Sequence, residues 1–81
     1  MTKADVMSKL QEVFDNVFVE EVKVTEELSA NDVNEWDSLS HITLIVSVEK
    51  AFKVRFGIGE VEATNNVGDL ADLIVKKLGT V

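Results

Sequence analysis

The sequence predicts an all-α fold, a three- to four-helix bundle with one long first loop. Three observations predict it. Apolar residues recur at helical spacing in three separate segments, and no proline interrupts any of them. The one strand-like mixture, around Val19, Val22, Val24 and Thr25, has no second run to pair with, and a lone strand is unstable. At 81 residues with 46% hydrophobic content, the chain supports a single modest core, so it reads as one domain spanning residues 1–81.

The first helix runs from about residue 3 to residue 17. Val6, Leu10, Val13 and Val17 recur at spacings of four, three and four. Met7 and Phe14 widen that stripe, while Lys9, Gln11, Glu12 and Asp15 occupy the other faces. Thr2 caps its start, with Asp5 three residues on. Residues 18–37 then form a long connection, with one turn at Thr25-Glu26-Glu27-Leu28 and anchors at Leu28 and Val33. Loops this long in small domains are often functional.

The second helix begins at Asp37 or Ser38 and ends near Phe52. Leu44, Ile45, Val48 and Phe52 form its inward stripe. Leu39, Ile42 and Val46 form a second stripe on the Ser38 side. A core this small leaves that second stripe for a partner. Gly57 and Gly59 end the region in a turn. A short third helix is expected over residues 60–64, with Val61 inward. The last helix starts at an Asn66 cap with Asp69 three residues on. Val67, Leu70, Ala71, Ile74 and Leu78 carry its stripe. Lys76 and Lys77 suit its C-terminus, and Gly79 suits its end.

Charge narrows the function. The net charge is -7; residues 1–37 hold ten acids and three bases, and residues 38–81 hold five of each. Phosphate polymers and anionic lipid surfaces are repelled, which argues against nucleic-acid and membrane partners. There is no cysteine, so neither a disulfide nor a thiolate metal site supports the fold. Asp32 and Asn34 hint at cation binding, but their stretch lacks the central glycine and terminal glutamate of a calcium loop, and no metal site is expected. The N-terminal residues lack the apolar run of a signal peptide, and a cytoplasmic monomer is the default expectation.

Ser38 is the residue with chemistry to offer. A hydrolase reading would join it to Asp37 and His41, but such a site also needs an oxyanion hole and a substrate pocket, for which the sequence gives no sign. Ser38 as a plain helix cap, or as a first-turn serine behind an Asp37 cap, is the bland alternative. An acidic, unmodified helical interaction module using Leu39, Ile42 and Val46 is the rival function. Trp36 pins the loop to the bundle, and His41, the sole histidine, reads as a surface helix residue.

The run Glu35-Trp36-Asp37-Ser38-Leu39-Ser40-His41-Ile42 resembles the prosthetic-group site of acyl carrier proteins. The resemblance continues through Leu44-Ile45-Val46-Ser47-Val48-Glu49-Lys50-Ala51-Phe52, Phe56 and Asn66-Val67-Gly68-Asp69-Leu70, covering about residues 4–79. It implies an acyl-carrier-like bundle that is not an enzyme. It further implies 4'-phosphopantetheine esterified to Ser38, with Asp37 and Leu39 recognised by a phosphopantetheinyl transferase. Leu39, Ile42 and Val46 would dock acyl-transferring, ligating or condensing enzymes, and Val61 would line the entrance to an acyl-holding interior. One departure stands out. Carriers of fatty-acid synthesis usually have an acidic second helix. Here Ser40, His41 and Thr43 take such positions, Glu49 is the helix's one acid, and Lys50, Lys53 and Arg55 gather at its end. The departure points to a specialised fatty-acid, polyketide or peptide-like pathway.

Overall fold

The computed structural model of the chain describes residues 2–57 and 59–79. Three α-helices, α1 (Lys3–Val17), α2 (Ser38–Phe52) and α3 (Val67–Gly79), pack with α1 against both of the others. No strand is present among the described residues.

Helix α1 starts as its sequence dictates. The Thr2 hydroxyl accepts from the Asp5 N–H, and the Asp5 carboxylate accepts from the Thr2 N–H, a reciprocal box that satisfies two otherwise orphaned donors. Its buried face is Val6, Leu10, Val13 and Phe14; Val17 is only half-buried because Phe14 takes the deeper position. Leu44, Val48 and Phe52 of α2 and Val67, Leu70, Ala71 and Ile74 of α3 complete the core. Asn66 caps α3 through its Oδ1, which accepts from the Asp69 N–H at 2.8 Å.

The long loop is docked rather than free. Phe18, Val22 and Val33 are buried in the core. Gln11 is not the solvent-facing residue that its place off the apolar stripe suggested. Its amide donates to the Val22 carbonyl at 2.7 Å and accepts from the Val24 N–H at 2.9 Å, clamping the loop to α1. At α3, the Val67 N–H donates to the Leu28 carbonyl at 2.8 Å and the Gly68 N–H to that of Glu26 at 2.9 Å. Lys3 adds ion pairs to Glu26 at 2.6 Å and Asp72 at 3.0 Å, so the start of α1, the loop and α3 meet at one point. The expected turn at Thr25 to Leu28 closes through a 3.2 Å backbone bond. A 3₁₀ turn at Ala30–Asp32 follows, and the Ser29 N–H donates to the Asp32 carboxylate at 3.0 Å. That bond gives Asp32 a local structural role.

Gly68 shows how close this docking is. A Cβ there would lie 2.9 Å from the Glu26 carbonyl oxygen and 3.0 Å from the Glu26 Cβ. Gly68→Ala is therefore expected to cost about 1–3 kcal/mol, because backbone must move to admit the methyl group. A lower urea midpoint at unchanged slope would register it.

Two local expectations are corrected. Residues 60–64 form no helix; they make hydrogen-bonded turns. The Ala63 N–H reaches the Gly59 carbonyl, but the neighbouring bonds, Glu60 to Gly57 and Thr64 to Val61, span only three residues. Gly59 sits at φ 88°, outside helical geometry, and a first helical turn is too costly to form on so few bonds. Helix α2 also stops without glycine. Lys53 takes the left-handed conformation (φ 56°, ψ 46°), while the Lys53 and Val54 N–H groups both donate to the Glu49 carbonyl.

Candidate functional site

The three residues before Ser38 each fix the start of α2. Glu35 reaches back across the loop, its carboxylate accepting from the Glu20 N–H at 2.6 Å and the Val19 N–H at 3.4 Å. Trp36 packs edge-on against Phe14 with ring centres 5.3 Å apart, and lies 6.0 Å from Phe18. Asp37 is the cap; its carboxylate accepts from the Ser40 N–H at 2.9 Å, and its carbonyl takes the His41 N–H at 2.9 Å. Sequence alone gives Trp36 and Asp37 structural roles here, whereas Glu35 enters only as the first residue of the run that resembles carrier proteins. Its partners lie fifteen and sixteen residues away, beyond the reach of local pattern.

Ser38 is thus the first residue of α2 and not its cap. It is exposed, and its hydroxyl makes no hydrogen bond to any described residue. It stands at the positive end of the helix dipole, which favours a phosphate ester. Beside it run Leu39, Ile42 and Val46, which are 77%, 62% and 42% exposed, an unusual outward set of large aliphatic side chains. Val61 lies apart from that stripe, on the 59–63 turn.

His41 is one turn beyond Ser38 but serves neither Ser38 nor Asp37. Its Nδ1 accepts from the Trp36 indole N–H at 3.1 Å, and the two rings stack with 19° between their planes. With the Asp37 carboxylate held by a backbone N–H, no charge-relay geometry exists, which disposes of the hydrolase reading. Trp36, His41, Val61, Thr64, Val67 and Leu70 surround a pocket of about 160 Å³ between the loop, α2 and the start of α3. A wider, shallow groove of about 600 Å³ lies at the far end of α2, among Val46, Lys50, Lys53 and Arg55. The pocket adjoins Ser38's end of the helix, so it is the one of chemical interest. Among the described residues, no group of three or more His, Cys, Asp or Glu side chains is placed to hold a metal ion, and no helix is long and apolar enough to cross a membrane.

The Ser40 N–H holds the Asp37 carboxyl below its ordinary value of 3.8. Asp5 is lowered likewise by Thr2, and Glu60 by the Gly57 N–H with help from Lys77. Above their ordinary values these groups are ionised in both folded and unfolded chains, so their stabilising bonds count in full. As pH falls, the unfolded chain binds protons first, and the contribution shrinks until pH passes below the folded values. Thermal unfolding should therefore change little from pH 7 to pH 5 and move to lower temperature below about pH 4. Asp37→Asn, which retains a capping side chain but not the titration, should show a shallower acid limb.

This is a small helical bundle presenting an unengaged hydroxyl and an apolar strip at the start of its second helix. No family model matches the chain. It is 32% identical over 79 residues to the acyl carrier protein of Thermotoga maritima, covering 96% of this chain and 98% of that one. The Rubrobacter xylanophilus acyl carrier protein matches at 32% over 77 residues, covering 94% and 95%. The solution NMR structure of a holo acyl carrier protein from Geobacter metallireducens superposes with a TM-score of 0.75 at 46% identity, covering 96% of this chain and 86% of that one. The chain belongs to the acyl carrier protein family, whose members are carriers and not enzymes.

Proposed function

We propose that Ser38 carries 4'-phosphopantetheine and that the chain shuttles acyl groups between enzymes. The observation that supports this reading is the exposed, unbonded Ser38 hydroxyl in the first turn of α2, held in place by the Asp37 cap. When attached, the group supplies a terminal thiol that holds an acyl chain as a thioester. His41 Nδ1 is already engaged by the Trp36 indole N–H, so the base for the esterification is assigned to a phosphopantetheinyl transferase. Asp37 and Leu39 flank the hydroxyl and present the charge and apolar surface that the transferase reads.

Leu39, Ile42 and Val46 dock the enzymes that load, ligate or condense the cargo. Val61 stands at the entrance to the acyl-holding interior. The scarcity of acids along α2, where Glu49 is the one acid, with Lys50, Lys53 and Arg55 at its end, supports partners other than the basic-faced enzymes of general fatty-acid synthesis, and so a specialised pathway. The protein acts as a cytoplasmic monomer of one domain, residues 1–81.

Intact mass tests the reading after incubation with coenzyme A, magnesium and a broad-specificity transferase. A gain of one phosphopantetheine, traced by fragmentation to the peptide containing Ser38, is the expected result. No gain in a folded sample, under conditions that modify another carrier, would overturn it and leave the unmodified interaction module.

A further inference from the structure

We propose that the exposed face of α2 docks a protein partner whose matching surface is acidic, with carboxylates that meet Lys50, Lys53 and Arg55. That this partner handles the cargo rests on the carrier reading above. Leu39, Ile42, Val46 and Lys50 follow one another at steps of three and four along α2, so they share one face. Lys53 continues the row at the helix end. The apolar strip thus runs into a basic end, with about 17 Å of helix axis between Leu39 and Lys50. No Asp, Glu, Lys or Arg lies between Ser38 and Val48, whereas residues 49–55 hold one acid and three bases in a chain of net charge -7.

The three bases are available to a partner. All are exposed, and among the described residues none of them forms an ion pair. Glu49, the neighbouring acid, is turned to its own chain, its carboxylate accepting from the Phe56 N–H at 3.0 Å. Lys9 adds charge at the same end, its Nζ lying 5.5 Å from the centre of the Phe52 ring. Lys77, over Phe56, is paired with Glu60 at 3.0 Å and adds less. A helix C-terminus attracts a lysine through its dipole, and Lys50 in the last turn fits that role. The dipole's pull fades within that turn, so it does not account for Arg55 beyond it. Val46, Lys50, Lys53 and Arg55 instead line one shallow groove, where an apolar contact and a carboxylate pair can be made together. The acidic residues before Ser38 repel such a partner, so its carboxylates must lie at the Lys50 end, which fixes its orientation on α2. An anionic membrane has no such polarity; its charge is spread evenly and meets the acids as well.

The test follows amide NMR shifts of the arm-bearing chain, its loading verified by intact mass, against two synthetic amphipathic helices. One has glutamates flanking a leucine stripe; the other has lysines in their place. Vesicles of phosphatidylglycerol and phosphatidylcholine form a third arm. The glutamate helix should bind more tightly than the lysine helix, shift amides from Leu39 to Phe56, and weaken as salt rises. In the double variant Lys50→Glu with Arg55→Glu, checked for folding by circular dichroism, its affinity should fall about tenfold or more, and the lysine helix should gain what it loses. Lys53 is left in place because it closes α2 in the left-handed conformation. Equal binding of the two helices to the unsubstituted chain would overturn the inference, as would unchanged affinity in the folded double variant. Shifts at residues 46–56 caused by the vesicles and not by the glutamate helix would overturn it in favour of a membrane. If the double variant does not fold, Lys50→Gln with Arg55→Gln removes the charge alone, and no loss of affinity there would also overturn it. A chain that gains no arm would overturn the carrier reading, and the same titrations on the unmodified chain would still decide this surface.

Discussion

Ser38→Ala is expected to abolish phosphopantetheinylation completely while leaving stability within about 0.5 kcal/mol of the unsubstituted chain. The two halves of that result have separate causes. The hydroxyl oxygen is the atom that would form the ester bond, and alanine has no substitute for it. The hydroxyl makes no hydrogen bond within the described residues, so its removal strands no partner. The helix keeps its start, because the cap is supplied by Asp37 and not by Ser38. Alanine also suits a helical position at least as well as serine does. Intact mass and urea unfolding on the same sample read both halves. A substantial loss of stability would mean that Ser38 is structural. Retained modification would place the attachment elsewhere.

Phe14→Ala should have the largest effect on folding, about 3–5 kcal/mol. Phe14 is fully buried on α1 and touches two other rings, Phe18 and Trp36. Its removal leaves a cavity under the tryptophan that holds the loop just before Ser38. At ~0.05–0.15 kcal/mol per residue, a chain of this size holds roughly 4–12 kcal/mol in all. The variant should therefore lose a large share of its stability, with a sharply lowered urea midpoint and an earlier red shift of indole emission along the denaturant series. A loss under about 1 kcal/mol would show that the three-ring cluster is not the support of the site.

Much of this architecture was legible because its determinants are local. Thr2 with Asp5 and Asn66 with Asp69 mark helix starts within four residues, and the spacing of Val6, Leu10 and Val13 reports a buried face directly. Ser38 stands out through the resemblance of residues 35–42 to the carrier attachment run, since its spacing alone fits a plain helix start. Where the sequence misled, the deciding partner was distant or the energy was finely balanced. Gln11 looks like a solvent residue until Val22 and Val24 return to it. Val61 and its neighbours have helical composition but too few bonds to nucleate a helix beside Gly59. Lys53 adopts a conformation usually left to glycine because the Glu49 carbonyl collects two N–H groups there. The 160 Å³ pocket was illegible for a related reason, since its walls come from the loop, α2 and α3 together.

The backbone bonds from Val67 and Gly68 to the loop have a consequence for amide hydrogen exchange. First-turn N–H groups of a helix normally lack intrahelical partners and exchange with solvent quickly. At α3 two of them are held by the Leu28 and Glu26 carbonyls, so they exchange only when the loop lifts away. Two amides at the start of α3 thereby record the opening of a segment some forty positions earlier in the chain. Their slowing or quickening when cargo or a partner enzyme binds would show whether the loop and α3 open as one cooperative unit.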